Sequence, residues 1–168
     1  MSSWFESRSR HGGVDNIPLP GDAGALWLCG KHFIAPDAER AMEHVHATVV
    51  VCLTQKAELA HHYPQYVEWL QTQQSTRVVW FPIPDLGAPP LEPVVLLLND
   101  LAERVQSGDS LLMHCGAGIG RAGTMAAALL ITLGLGEQEA LDVVAQHRPM
   151  AGPEAGPQRE LLRALGAT

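Results

Sequence analysis

Apolar and polar positions follow two rhythms along this chain. Residues 47–53 (A-T-V-V-V-C-L) are β-branched and almost wholly apolar, the pattern of a strand buried on both faces. Apolar runs at 25–29, 77–81 and 110–114 read as three more strands. Helical spacing fills the intervals between them. Pro36 is expected to open a helix running to about His44, with Asp37 and Glu39 in its first turn. Residues 56–74 read as helix broken near Pro64, and residues 93–106 as a helix ended by Ser107 and Gly108. After the last strand, residues 121–133 form an Ala/Leu-rich buried helix, 137–147 a further helix and 158–165 a closing one. Residues 1–13 are polar and expected to fray; 16–24 and 82–90, rich in proline and glycine, read as loops.

Strand and helix alternate through the first two thirds of the chain, and helices cluster at the end. The expected fold is α/β: a central, mostly parallel sheet flanked by helices, with a helical C-terminal part. A length of 168 residues fits one domain, taken as 14–168, with 46% apolar residues to fill its core. Aromatic residues make up only 5%, so that core is built mainly from Leu, Val and Ala.

The formal net charge of −7 sets the chain as a whole against nucleic acid and acidic membrane surfaces. An anionic ligand therefore needs a local cluster of donors, and lysine contributes little, being present only at Lys31 and Lys56. Three cysteines, Cys29, Cys52 and Cys115, do not make a disulfide framework, which points to a reducing compartment. The first ten residues lack the apolar core of a signal peptide, and the longest apolar stretch, 125–135, is too short to span a bilayer. A soluble, cytoplasmic protein is expected.

The chemistry is concentrated in 110–124, S-L-L-M-H-C-G-A-G-I-G-R-A-G-T. A buried strand runs straight into a segment with four glycines, 115–123, which leads into a helix. Glycines allow backbone N–H groups to converge, and a nest of N–H groups at a helix N-terminus binds anions. Cys115 opens the loop and Arg121, six residues on, opens the helix. There the helix dipole, the N–H nest and a guanidinium stabilise a thiolate, and the planar arginine fork grips two phosphate oxygens. Such a pair attacks and holds a phosphoryl group with no metal or cofactor.

His114-Cys115, five intervening residues and Arg121 resemble the signature loop of the protein tyrosine phosphatase superfamily, H-C-x-x-G-x-x-R followed by Ser or Thr. Cys115, Gly118 and Arg121 match it. The resemblance implies that Cys115 is the nucleophile, forming a phosphocysteine. It implies that Gly116, Ala117, Gly118, Ile119, Gly120 and Arg121 bind the phosphate, and that His114 has a supporting role behind the loop. Ala122 stands where the family carries a hydroxyl that helps the cysteine leave in the second step, so slow hydrolysis of the intermediate is expected. Thr124 lies further along the helix and is not taken as its substitute.

Similar enzymes donate a proton from an aspartate on a loop about thirty residues before the cysteine. Asp85, in P-I-P-D-L-G-A-P-P, sits thirty residues before Cys115 and is assigned as general acid, then base. The segment H-R-P-M-A-G-P-E-A-G-P-Q resembles the R-P-x-A and later Gln segment of the dual-specificity branch. There Gln158 could orient the hydrolytic water, and Arg148 could contact substrate or simply sit at a helix C-terminus. Cys52 reads first as a buried apolar cysteine, and second as a partner for a protective disulfide with Cys115. Histidines 44, 46, 61 and 62 match no zinc spacing and read as solvent-facing residues.

Gly118 to Gly123 also fits the dinucleotide fingerprint G-x-G-x-x-G, but that fold needs a strand after the helix, where a second helix is expected. A sulfur-transferring rhodanese-like domain and a non-catalytic phosphopeptide-binding module are the other rivals; the Asp85 loop and His114 favour the phosphatase. The uncharged loop positions Gly116, Ala117 and Ile119 argue against polyphosphoinositides. The compact size resembles dual-specificity enzymes. The expected substrate is a phosphorylated protein, phosphotyrosine first and phosphoserine or phosphothreonine next, with a small phosphomonoester as the alternative. Oligomeric state is not read from the sequence.

Overall fold

The computed structural model describes residues 13–167. Five strands form one sheet: β1 (Val14–Ile17), β2 (Ala25–Gly30), β3 (Val49–Cys52), β4 (Val78–Trp80) and β5 (Ser110–Cys115). Their order across the sheet is β1-β2-β5-β3-β4. β1 pairs antiparallel with β2, and the other three pairings are parallel. The strand that carries Cys115 is therefore the middle one, supported by a parallel neighbour on each side.

Alternation along β5 divides its side chains between two cores. Leu111, Met113 and Cys115 face one of them and Leu112 faces the other. The first core is closed by α5 (Leu91–Gln106), α6 (Gly120–Thr132), α7 (Glu137–His147) and α8 (Gly156–Gly166). The second is closed by α1 (Lys31–Ile34), α2 (Ala38–Val45), α3 (Lys56–Ala60) and α4 (Pro64–Gln73). α6 is buried from Gly120 through Leu130. That explains a sequence of small and apolar residues with no polar face, since helices and sheet enclose it on all sides.

Two expectations are corrected, and one helix is additional. The loop expected from residue 16 begins later, because Asn16 and Ile17 belong to β1; Ile17 is buried and the Asn16 Nδ2 donates to the Leu26 carbonyl at 3.1 Å. V-D-N-I carries only two separated apolar residues, so its strand character comes from pairing with β2. Pro36 does not open α2; Asp37 caps it, its carboxylate accepting the Arg40 N–H at 3.1 Å. The short helix α1 was not anticipated. The break at Pro64 separates α3 from α4 as expected, with proline in the first turn of α4.

The frayed start expected over 1–13 lies outside the described residues except for Gly13, which is buried. Among the described residues, no helix is long and apolar enough to cross a membrane.

Candidate active site

β5 delivers Cys115 to the C-terminal end of the parallel strands, and the chain turns at once through residues 116–119 into α6. The turn is tight against its neighbours. Gly118 has φ +75°, and a Cβ there would collide with the Cys29 carbonyl. Three successive loop carbonyls are held from outside. Gly116 O accepts the Lys31 N–H at 2.8 Å, Ala117 O accepts Arg148 Nη2 at 3.2 Å, and Gly118 O accepts Arg148 Nε at 2.7 Å. In a planar trans peptide the next N–H points opposite to the carbonyl. The N–H groups of Ala117, Gly118 and Ile119 are thus turned away from these donors, as an anion cradle requires.

Cys115 is buried, and its Sγ accepts the Ala122 N–H at 3.4 Å, an amide of the first turn of α6. That amide belongs to the N-terminal turn of α6, the positive end of the helix dipole. Arg121 is buried beside it. Its Nη1 donates to Glu58 Oε2 at 2.8 Å and its Nη2 to Glu58 Oε1 at 2.7 Å, while Nη1 also reaches the Ile83 carbonyl at 2.8 Å. Its Nε has no partner among the described residues. Burial works against the guanidinium charge, but the bonds to Glu58 and the charges around it outweigh burial and push its pKa further up.

Glu58 was not anticipated as a site residue. Burial works to raise its pKa, yet the Arg121 bonds and the Gln55 N–H at 2.8 Å together hold the carboxyl below the usual range. Its local signal was present: Gln55 and Glu58 form a reciprocal capping box at the start of α3. Its pairing with a residue 63 positions away was not visible in that pattern.

Asp85 lies on the turn after β4, closed by the Gly87 N–H donating to the Pro84 carbonyl at 2.8 Å. Its side chain is 74% exposed, and Oδ1 stands 3.7 Å from Arg121 Nη2. Cys115, Arg121 and Asp85 line one cavity of about 400 Å³, with Gly116, Ala117 and Gly120. Lys31, His32, Glu58 and Glu154 line it too. Glu154 packs so closely that a Cβ on Gly120 would run into its carboxylate.

His114 is fully buried on the sheet face opposite Cys115. A carbonyl only accepts, so its Nδ1, 3.1 Å from the Cys115 carbonyl, carries the proton, and Nε2 accepts the Tyr66 hydroxyl at 2.7 Å. Burial pushes its pKa down to about 4, so the ring is neutral near pH 7.

Gly118, Ile119, His114 and Gln158 do not line the cavity. Arg148 is not at the cavity either: it is buried, and besides the loop carbonyls it meets Asp15 Oδ2 at 2.9 Å and the Leu28 carbonyl at 3.4 Å.

The considered Cys52–Cys115 disulfide is corrected. Cys52 pairs in register with His114, so it faces the second core while Cys115 faces the first. Its Sγ lies 3.1 Å from the Thr54 hydroxyl, and burial pushes its thiol up to about 12. The dinucleotide reading also fails on topology, because α6 is followed by α7 with no strand between them.

Known proteins agree with this architecture. A family profile described as Swiss Army Knife protein, DSP-PTPase phosphatase domain, matches residues 25–166. The crystal structure of Tk-PTP in its active form is 31% identical, with TM-score 0.67 over 90% of this chain and 96% of that one. Kinase associated phosphatase shares the fold with TM-score 0.74 at 19% identity, over 93% of this chain and 96% of that one. Dual specificity protein phosphatase 15 of Mus musculus is 41% identical over 56 residues, 33% of this chain and 24% of that protein. The match thus spans about a quarter of that curated relative. The profile takes in four of the five strands and all eight described helices, and the chain belongs to this DSP-PTPase phosphatase domain family.

Proposed function

We propose that the protein hydrolyses phosphomonoesters in proteins, phosphotyrosine first and phosphoserine or phosphothreonine next, through a phosphocysteine intermediate. The observation that carries this reading is the convergence of Cys115, Arg121 and Asp85 on one cavity. In the first step the Cys115 thiolate attacks phosphorus. The phosphorus–oxygen bond breaks, and the leaving oxygen takes the Asp85 proton. The loop N–H groups and the unpartnered Arg121 Nε carry the charge of the equatorial oxygens. In the second step water attacks the phosphocysteine, Asp85 takes its proton, and sulfur leaves as thiolate. His114, neutral and bonded to Tyr66 and Cys115, takes no part in proton transfer and supports the start of the loop. The free cysteines support a reducing compartment, the cytoplasm.

A weakly catalytic phosphopeptide-binding module is the second reading. It rests on Ala122, which offers the sulfur a backbone N–H and no hydroxyl. Hydrolysis of para-nitrophenyl phosphate with EDTA present separates the two. Activity that vanishes in Cys115→Ser and drops in Asp85→Ala supports the enzyme; an inactive wild type that still binds vanadate supports the module.

A further inference from the structure

Gln158 lies in the first turn of α8 and is 1% exposed. Both ends of its amide are used. Oε1 accepts the Glu154 N–H at 2.7 Å, and Nε2 donates to the Gly87 carbonyl at 3.3 Å. Only the oxygen accepts from an N–H and only the NH2 donates to a carbonyl, so the orientation is fixed by its partners.

The two partners belong to different parts of the site. The segment leading to Glu154 is fastened to the phosphate loop, the Gly152 N–H donating to the Ile119 carbonyl at 3.1 Å. Gly87 closes the turn that carries Asp85. That turn is anchored upstream, where Ile83 bonds the Leu53 carbonyl and Arg121. From its tip onward, among the described residues, the Gln158 amide is the hydrogen bond that joins it to the rest of the molecule. The tip itself is open to water: Leu86 is 53% exposed.

We propose that Gln158 is a positioning residue that clamps the Asp85 turn to the phosphate-loop side of the cavity. Its effect is to keep the acid within reach of the leaving oxygen. This rests on the phosphatase reading above. Without the clamp the turn swings into solvent, while the Cys115 and Arg121 cradle is untouched. Loss of the clamp therefore slows the first step, which kcat/KM reports, only for substrates whose leaving group needs a proton.

The test compares Gln158→Met with wild type on phenyl phosphate, whose leaving phenol is weakly acidic, and on an aryl phosphate with a strongly acidic fluorinated phenol. General-acid contributions are about 10²–10⁴-fold. Gln158→Met is expected to lose about tenfold or more in kcat/KM on the first substrate and less than about twofold on the second. In an Asp85→Asn background it adds no further selectivity. Gln158→Glu, which keeps an acceptor for Glu154 and above neutral pH has no donor for Gly87, serves as the second variant and shows the same split. Equal losses on both substrates, no loss, or a further selective loss in Asp85→Asn overturn the clamp. Retained activity in Cys115→Ser, or an inactive wild type, overturns the phosphatase reading and the clamp with it.

Discussion

The Arg121 guanidinium meets the Glu58 carboxylate edge to edge, Nη1 on Oε2 at 2.8 Å and Nη2 on Oε1 at 2.7 Å. The fork is oriented before any phosphate arrives, and its Nε remains available. Charge-assisted bidentate pairs are roughly twice as strong as neutral hydrogen bonds, and they fix the plane as well as the distance.

Glu58→Gln keeps the shape but loses the charge and one acceptor. Steady-state kinetics on para-nitrophenyl phosphate are expected to show kcat/KM lower by about tenfold or more, the equivalent of about 1.4 kcal/mol of lost transition-state stabilisation. Unchanged kinetics would show that the loop alone orients Arg121.

Ala122 is fully buried and faces the sulfur with its amide alone. Rapid mixing of wild type with an aryl phosphate is expected to give a burst of phenol, followed by slow turnover as phosphocysteine accumulates. Ala122→Ser adds a hydroxyl to the departing thiolate. A hydrogen bond to a charged group contributes about 1.5–3 kcal/mol, so steady-state turnover should rise about tenfold and the burst should disappear. Absence of a burst in wild type refutes a rate-limiting second step.

His114 is buried neutral, its pKa brought from 6.5 to about 4 by burial. Between those two values the unfolded chain holds the extra proton and the folded chain does not. Stability is complete above pH 6.5 and falls as the pH drops towards 4, with a slope of up to about 1.4 kcal/mol per pH unit from this group. Urea unfolding across that range measures it. His114→Asn is expected to remove this part of the slope while lowering stability at every pH.

Arg148 binds two loop carbonyls and Asp15 from behind. Arg148→Met removes the guanidinium that those carbonyls and the Asp15 carboxylate share. Removing one partner of a buried pair costs about 3–5 kcal/mol, and the exposure of Asp15 places this case at the lower end. Chemical denaturation should show that loss, and alkylation of Cys115 by iodoacetamide should lose its protection by phosphate as the loop carbonyls swing free.

Much of this fold was written locally. The run V-V-V-C marks β3, and Q-K-A-E followed by Pro64 marks two helices where the structure has two. Glu137–His147 matches its expected bounds at both ends. Cys115 and Arg121 were legible as neighbours because a single strand–loop–helix turn brings them together. β1 was not legible, since V-D-N-I becomes a strand only against β2. The sequence offers Gln158 as a candidate for orienting the hydrolytic water; that its amide is seated between Glu154 and Gly87 comes from the tertiary structure.

By itself, then, the sequence determined Cys115, Arg121, the glycine-bearing loop between them and the α/β alternation that supports it. Those features arise from residues a few positions apart, where periodicity and backbone sterics act directly. The tertiary structure decided which distant residues complete the site. Tyr66 reaches His114 across 48 positions, Glu58 reaches Arg121 across 63, Gln158 reaches Gly87 across 71 and Arg148 reaches Asp15 across 133. Hydrophobic patterning states which face of an element is buried, not which element it meets. The order β1-β2-β5-β3-β4 makes that choice, placing the ends of β2 and β3 on either side of Cys115 so that the residues following them close around it.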